Sequence, residues 1–449
     1  MKICIVGCGL RTPLLIHGIA RSSLNSAHLA LYDISPGRAE LMSALGEPIA
    51  AHTPLKISTP ATLPDAIRDS SFVISSIRPG GMEARARDEQ IALECGFAGQ
   101  ETTGPGGFAM ANRTVPVALE HARLVERLAP EAWIVNFTNP AGIITQAISS
   151  HTGARIIGIC DTPSELFFRI SLGLGKRQDE VECDYFGLNH LGWVDAVRVR
   201  TATGTEDCTD RIFNDDELLR SLYSAPLFSP QLIRSLRLIP TEYLYFYYNQ
   251  RTARANQLLA GATRAKELVE LNRGVIADLE RSVHKGDAEG ALRAYRRYLN
   301  RRNSSYMHLE GEGKSAFVEA EVDWNPFEGA TGYHRIAVDA IQALCAGSPS
   351  RMVLNVTNHG AIQDLAPDDV VEVPCLIDRN GPRHIRSRSL PEAARGLTIS
   401  AKYYERLAIR AALSHERSQS VHALFSNPSV GDWQVAANCV DKLFEPSQV

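Results

Sequence analysis

The first residues whose types and spacing could do chemistry are Gly7-Cys8-Gly9, which close the apolar run Lys2–Val6 and lead into Leu10-Arg11-Thr12-Pro13. Two glycines there permit a tight turn and let a pyrophosphate approach the backbone, its charge resting on the N-terminus of the following helix. The third glycine of a dinucleotide fingerprint is missing, and Thr12-Pro13 stands in its place. Asp33 ends the next apolar run, where a carboxylate binds a ribose 2′-hydroxyl and repels a 2′-phosphate, so NAD is expected rather than NADP. Gly7, Gly9, Leu10, Arg11, Thr12 and Asp33 are the expected cofactor contacts; the plain alternative is an ordinary strand–turn–helix.

A second group lies further on. Cys160 follows the apolar run Arg155–Ile159, and His190 follows Tyr185-Phe186-Gly187. A thiolate and an imidazole suit a soft-to-borderline divalent metal, and two protein ligands would leave positions open to water and substrate. The same pair also reads as a buried structural cysteine and a satisfied core histidine. Asp161, next in sequence, is placed either as a proton donor or as the cap of a helix beginning at Thr162-Pro163. The aromatic run Tyr243–Tyr248 reads first as core packing.

These residues need strands to carry them. Lys2–Val6, His28–Tyr32, Phe72–Ser76, Trp133–Phe137 and Arg155–Ile159 are apolar without alternation, as parallel strands buried on both faces are. Helical stretches, around Asp88–Glu94 and Val115–Leu128 for example, fall between them. The pattern predicts an α/β fold: a Rossmann-like doubly wound sheet followed by an α+β C-terminal domain, as in lactate and malate dehydrogenases. The expected division is residues 1–194 for the nucleotide and 195–449 for substrate, catalysis and oligomerisation. Past Trp193 the chain predicts a loop or hairpin over Arg200–Asp216, a helical tract from Gln257 to Asn300, a mixed segment, and a terminal helix near Tyr403–Phe425. Arg293, Arg296, Arg297, Arg301 and Arg302 could form a phosphate-binding face but read rather as a solvated face or subunit contact, since no aromatic platform accompanies them and the chain is slightly acidic.

Composition narrows the classes. The 449 residues carry 47 basic and 51 acidic side chains, a net charge of −4, which gives no electrostatic reason for nucleic acid or a membrane surface as partner. A membrane-spanning helix needs about 20 apolar residues in a row, and no such run is found. Nine scattered cysteines, an odd number, do not make a disulfide framework. A cytoplasmic enzyme with reduced thiols is expected.

Several motifs, in order, resemble those of the NAD- and manganese-dependent family 4 glycoside hydrolases, especially the 6-phospho-β-glucosidases. They are Ser76–Arg85, Gly99–Gly107, Asn136–Gly142, Gly158–Pro163, Gly187–Leu191, Asn358-His359-Gly360 and Val371–Pro374. The resemblance covers the whole chain. It implies a mechanism outside the two-carboxylate rule of glycosidases. Manganese would be held by Cys160 and His190, with Asp161 as general acid and Tyr243 as base, Tyr247 being the runner-up. The sugar 6-phosphate would fall to Arg85 and Arg264, sugar hydroxyls to Glu101 and Asn139, and the cofactor also to Arg78 and Asn139. A homodimer or homotetramer is expected.

The β-specific members usually carry Asn where Asp161 stands, and the α-specific ones Asp, so a 6-phospho-α-glucosidase, or a glycosidase of unphosphorylated sugars, is the alternative by the same chemistry. Gln100-Glu101-Thr102-Thr103 resembles the β group. Gly332-Tyr333-His334 departs from the small-residue pattern of the family, and no role is assigned to His334. Two readings of other classes remain: an NAD-dependent hydroxy-acid dehydrogenase and a non-catalytic NAD-binding regulator.

Overall fold

The computed structural model describes residues 1–311, 327 and 332–445. Six parallel strands form in the first part of the chain: β1 (Lys2–Val6), β2 (His28–Tyr32), β3 (Lys56–Ser58), β4 (Phe72–Ser75), β5 (Trp133–Asn136) and β6 (Arg155–Gly158). Their order across the sheet is β3-β2-β1-β4-β5-β6, that of a dinucleotide-binding fold with its switch point between β1 and β4. On β1, Ile3 and Ile5 join one hydrophobic cluster while Cys4 and Val6 join another. The strand is buried on both faces, which is why its sequence does not alternate. β3 escaped the sequence reading because it is three residues long and only partly buried.

A second sheet follows. β7 (Val181–Leu188) and β8 (Leu191–Thr201) make a hairpin whose turn is Asn189-His190, and β9 (Gly204–Asp207) pairs with the far end of β8. The hairpin expected over Arg200–Asp216 is therefore present, followed by a short helix at Thr209–Phe213. β10 (Ile239–Pro240) joins the other edge of β8 and sets the start of the aromatic run against the hairpin.

The long helical tract is three helices, Gln250–Ala260, Arg264–His284 and Ala288–Ser304. Gly261 (φ +64°) ends the first, and Gly286 (φ +68°) lies in the break before the third, left-handed positions that favour glycine at a helix end. The helix expected near Tyr403–Phe425 likewise divides into Glu392–Ser414 and Arg417–Phe425, with His415 left-handed between them, and it is not the last: Trp433–Phe444 follows. The mixed segment lies largely outside the described residues.

Three later strands were not anticipated. β11 (Ser350–Thr357), β12 (Val370–Asp378) and β13 (Gly381–His384) return to the first sheet and extend it antiparallel beyond β6, Asn355 opposite Gly158. The chain division expected at 194 is thus not an edge of this sheet. Of the described helices, none is long and apolar enough to cross a membrane. All nine cysteines are free thiols.

Candidate active site

The carboxyl ends of β1, β2, β4, β5 and β6 open onto one cavity of about 1590 Å³. Pockets for a drug-sized ligand span roughly 300–1,000 Å³, so this one has room for a dinucleotide and a sugar together. Gly7, Gly9, Leu10, Arg11, Asp33, Arg78, Arg85, Glu101, Asn139, Asp161, Tyr243 and Arg264 all line it. Thr12 does not: it is buried beneath the turn, its N–H on the Gly9 carbonyl at 3.0 Å. Its part is to close the turn rather than to face a ligand.

The two glycines differ in what they require. Gly7 has φ +92°, and a Cβ there would lie 2.5 Å from the Ser76 carbonyl oxygen, so the fold itself demands glycine. A Cβ on Gly9 would meet nothing within 4 Å and would point into open cavity. Packing therefore does not require glycine at that position, and the space is open to an approaching ligand. Asp33 is oriented by the N–H groups of Cys8 (2.8 Å) and Ser35 (2.9 Å), one to each carboxylate oxygen.

Cys160 and His190 lie just behind the cavity wall, both buried. Gln100 Oε1 accepts from the N–H groups of Thr102 and Thr103 and from the Thr102 hydroxyl (2.8 Å). With its only proton given to Gln100, the Thr102 oxygen can only accept from His190 Nδ1, 2.8 Å away. The imidazole proton is thereby fixed on Nδ1, and the Nε2 lone pair is free. Nε2 is buried without a hydrogen-bond partner among the described residues, and burial pushes the His190 pKa down to about 4, keeping the ring neutral. A buried, neutral, unpartnered nitrogen is what a metal ligand looks like before its metal. Burial, with Glu372 and Asp161 nearby, raises the Cys160 thiol well above its ordinary value, so a cation is needed for the thiolate. Among the described residues no group of three or more His, Cys, Asp or Glu side chains gathers to hold a metal, which leaves a two-ligand site as the expectation.

His190 sits at φ +62° in the hairpin turn, a conformation that non-glycine residues hold only when their surroundings impose it. The neighbour that imposes it came from a motif to which no role was assigned. Glu372 on β12 accepts hydrogen bonds from Asn189 Nδ2 (3.1 Å), Asn355 Nδ2 (2.8 Å) and the Tyr185 hydroxyl (2.5 Å), pinning the turn to the extended sheet.

Asp161 occupies the N-cap position of the helix Thr162–Gly173 but makes no capping hydrogen bond. Its carboxylate faces the cavity, 4.0 Å from Arg11. Tyr243 stacks on His190, ring centroids 3.7 Å apart and planes 8° apart. Tyr247 does not line the cavity, which separates the two tyrosines the sequence left in competition. Glu242 and Tyr306 flank Tyr243 and were missed, because an acid inside an aromatic run and a tyrosine after a helix carry no local signal.

Arginines crowd the other end. Arg85 Nε donates to Glu89 (2.8 Å), and Nη1 pairs with Glu101 (3.0 Å), while Arg78 pairs with Glu101 at 2.7 Å. Burial opposes ionisation of Glu101, but Arg85 and Arg78 outweigh it and hold the carboxyl well below the usual carboxylate range. Asn139 Nδ2 reaches the same carboxylate at 3.5 Å. Arg264 donates to Ser305 Oγ and the Arg302 carbonyl, each at 2.7 Å, and pairs with Glu267 at 3.4 Å.

Arg302 corrects the sequence reading of the arginine-rich stretch. Arg293 is indeed exposed and paired with Glu289, but Arg302 faces the cavity. Helical periodicity turns it toward the helix Arg264–His284, and its guanidinium has no carboxylate partner among the described residues. Burial and then the Arg302 charge lower the Arg264 pKa, and Arg302 opposes the charge of Arg78 as well. Mutually repelling guanidiniums on one cavity suit an anion.

His334 is buried, near Gly18, and its pKa falls to about 4 through burial, then His17 and Arg11. It is a neutral packing histidine.

A dinucleotide-type sheet, an arginine-lined cavity at its carboxyl edge and a buried imidazole behind the cavity wall are what an enzyme working on an anionic ligand with a dinucleotide would need. Residues 2–170 match the pattern of family 4 glycosyl hydrolases, and residues 185–430 match that of the family 4 glycosyl hydrolase C-terminal domain. The chain belongs to the family 4 glycosyl hydrolases. It is 30% identical to the 6-phospho-beta-glucosidase of Escherichia coli, over 96% of this chain and 91% of that one. It is similar to the solved 6-phospho-beta-glucosidase of Thermotoga maritima with manganese, NAD⁺ and glucose-6-phosphate, at 27% identity and a TM-score of 0.80, covering 99% of this chain and 98% of the other. A 6-phospho-alpha-glucosidase from gut microorganisms, solved with NAD and glucose-6-phosphate, gives 26% identity and a TM-score of 0.77, over 99% and 97% of the two chains. Likeness to the lactate dehydrogenase of Eimeria maxima is one of fold alone, at 14% identity, a TM-score of 0.51 and coverage of 92% and 95%. The dehydrogenase and regulator readings give way to the family.

Proposed function

We propose that the protein hydrolyses 6-phospho-β-glucosides with NAD and a divalent metal, Mn²⁺ in the first place. The observation that carries this reading is one cavity lined by Arg302, whose guanidinium has no carboxylate partner among the described residues, by Arg264 and Arg85, and by Asp161 and Tyr243, with His190 buried behind Tyr243. The chain's residues fit both cofactors: the space above Gly9 suits a pyrophosphate, and His190 Nε2 with Cys160 Sγ suits a soft-to-borderline cation. When bound, the dinucleotide and the metal supply reversible hydride exchange at sugar C3 and Lewis-acid polarisation of the C2 and C3 oxygens.

The chain's own residues do the rest. Gly7, Gly9, Leu10, Arg11, Asp33, Arg78 and Asn139 hold the dinucleotide. Arg85, Arg264 and Arg302 hold the sugar phosphate, and Glu101, fixed as an anion by Arg78 and Arg85, accepts from sugar hydroxyls. Tyr243 takes the proton from C2 and Asp161 protonates the departing oxygen at C1. Water would then add across the resulting double bond, and with the bound dinucleotide supplying the reverse exchange at C3 the outcome would be hydrolysis with no net oxidation. Residues 1–194 carry the nucleotide in this reading, and 195–449 supply the base, Arg264 and Arg302, and a homodimeric or homotetrameric interface in the cytoplasm.

A second reading, a 6-phospho-α-glucosidase, is favoured by Asp161 itself, an acid where the β-specific members usually carry Asn. A panel of aryl α- and β-glucosides, with and without 6-phosphate, tests both when assayed with NAD⁺, Mn²⁺ and reductant. The β reading expects turnover of the 6-phospho-β-glucoside, abolished by chelator and restored by Mn²⁺. Turnover by protein stripped of NAD and metal refutes the cofactor assignment, and preference for unphosphorylated sugars refutes the phosphate assignment.

A further inference from the structure

A neutral phenol is a poor base unless its own proton can leave as another arrives, and the structure supplies a route for that proton. The Tyr306 hydroxyl makes a short hydrogen bond to Glu242 Oε1 and lies 3.2 Å from the Tyr243 hydroxyl. Tyr306 has one proton, and when Glu242 is ionised its carboxylate claims it. The contact between the two phenols therefore runs from Tyr243 to Tyr306, which orders the chain as Tyr243 to Tyr306 to Glu242.

We propose that Tyr306 and Glu242 are the proton path behind Tyr243, with Glu242 holding the proton while the substrate C2–H bond is broken. This rests on the reading of Tyr243 as the base. The ring of Tyr243 is fixed flat against His190, so its oxygen keeps its place at the head of the path. Glu242 and Tyr306 come from separate elements, the turn after β10 and the turn after the helix Ala288–Ser304, 64 residues apart, and both line the cavity. Among the described residues no arginine or lysine is ion-paired with Glu242; the charged groups that act on it are Asp161, Glu165 and Arg169. Burial, reinforced by Asp161 and Glu165, pushes its pKa up to about 8. A carboxyl poised there takes up and returns a proton near neutral pH with little bias either way.

A bound nicotinamide dinucleotide would supply oxidation at C3, and the substrate of this step would then be the C3-keto sugar. The C2–H bond breaks, its electron pair forms the C1=C2 π bond, and the C1–O bond to the aglycone breaks, the departing oxygen taking a proton from Asp161. Tyr243 gains the C2 proton and passes its own to Tyr306, which passes its own to the Glu242 carboxylate. Nothing is oxidised or reduced in this step. Reprotonation at C2 draws the proton back along the same path.

Glu242→Gln and Tyr306→Phe test the path in the full-length protein with NAD⁺ and Mn²⁺, on 4-nitrophenyl 6-phospho-β-glucoside carrying hydrogen or deuterium at C2. The glutamine still accepts from Tyr306 but cannot take its proton. Both variants are expected to bind NAD⁺ as the wild type does, to keep KM within about threefold, and to lose about 10²-fold or more in kcat, with a larger C2 deuterium isotope effect. If kcat and the isotope effect stay at wild-type values in both, or if only KM changes, the path is overturned. Should Glu242→Gln fail to fold, Tyr306→Phe, which keeps the ring, decides alone. Wild-type turnover in D₂O separates the two levels: no deuterium at C2 of the product overturns the elimination reading and the path with it, whereas deuterium in the wild type with unaffected variants overturns the path alone.

Discussion

Tyr243 covers one face of the His190 imidazole, the rings 3.7 Å apart and within 8° of parallel. That contact covers the ring, while Thr102 holds Nδ1 and the buried Nε2 has no hydrogen-bond partner among the described residues. It also sets the phenol beside the site expected for the metal. One side chain thus shapes the metal ligand and stands where the substrate proton is taken.

Thr102→Val should weaken Mn²⁺ binding by about 10–100-fold, the usual effect of removing the partner that orients a ligating imidazole. Without the hydroxyl the Nδ1 proton is no longer fixed and the Nε2 tautomer competes. Direct Mn²⁺ titration followed by electron paramagnetic resonance measures it, and an unchanged Kd would rule out the Thr102–His190 arrangement. NAD⁺ affinity should stay the same, since the nucleotide turn is built from other elements.

Gly7 and Gly9 should separate fold from function. Gly7→Ala forces a left-handed alanine against the Ser76 carbonyl and should cost roughly 2 kcal/mol or more of stability, read as a lower Tm. Gly9→Ala should leave Tm where it is, because its Cβ meets nothing within 4 Å, yet weaken NAD⁺ binding by about tenfold or more, roughly 1.4 kcal/mol. Calorimetry for Tm and for binding distinguishes the two, and equal effects on both quantities would contradict the geometry.

Arg302→Ala should lower kcat/KM for a 6-phosphorylated substrate by about 10–100-fold, since a charge-assisted hydrogen bond contributes roughly 1.5–3 kcal/mol. Arg264→Ala should do the same, with some loss of Tm because it also ties Ser305 and the Arg302 carbonyl. Rates on the matching unphosphorylated glycoside should barely move. Equal losses on both substrates would place these arginines elsewhere in the chemistry.

Asp161→Asn should slow alkyl 6-phosphoglycosides far more than nitrophenyl ones, because an activated leaving group needs little protonation. A plot of log kcat/KM against leaving-group pKa should steepen in the variant. An unchanged slope would return Asp161 to a structural role.

Glu310 should make stability fall as pH rises. It is 6% exposed, and burial lifts its pKa from 4.5 to about 7. Between those values the folded protein keeps a proton that the unfolded chain has lost, so the contribution is full below about 4.5 and is lost as pH rises through 7. Glu310→Gln should flatten the stability curve between pH 5 and 8 by an amount on the order of 1–3 kcal/mol. Urea unfolding at several pH values, compared with the wild type, measures the difference.

The sequence by itself determined the parallel sheet and what hangs from its strand ends. A strand buried on both faces must be a continuous apolar run, so β1, β2, β4, β5 and β6 were legible, and with them Gly7, Asp33, Cys160 and Asp161, each at or just past a strand's end. The motif order gave the family, and hence His190 and Tyr243, which spacing alone left open against core packing. What only the tertiary structure decided are relations between residues far apart in the chain. β11–β13 join a sheet begun more than 190 residues earlier, and Glu372 reaches the His190 turn only through that addition. Arg302 looked like one of five surface arginines until the helix Ala288–Ser304 packed against its neighbour and turned that one inward. Glu242 and Tyr306 meet across 64 residues. Local pattern records which face of an element is apolar; it holds no record of which distant element that face will meet, and there the charges, the free lone pair and the proton path were set.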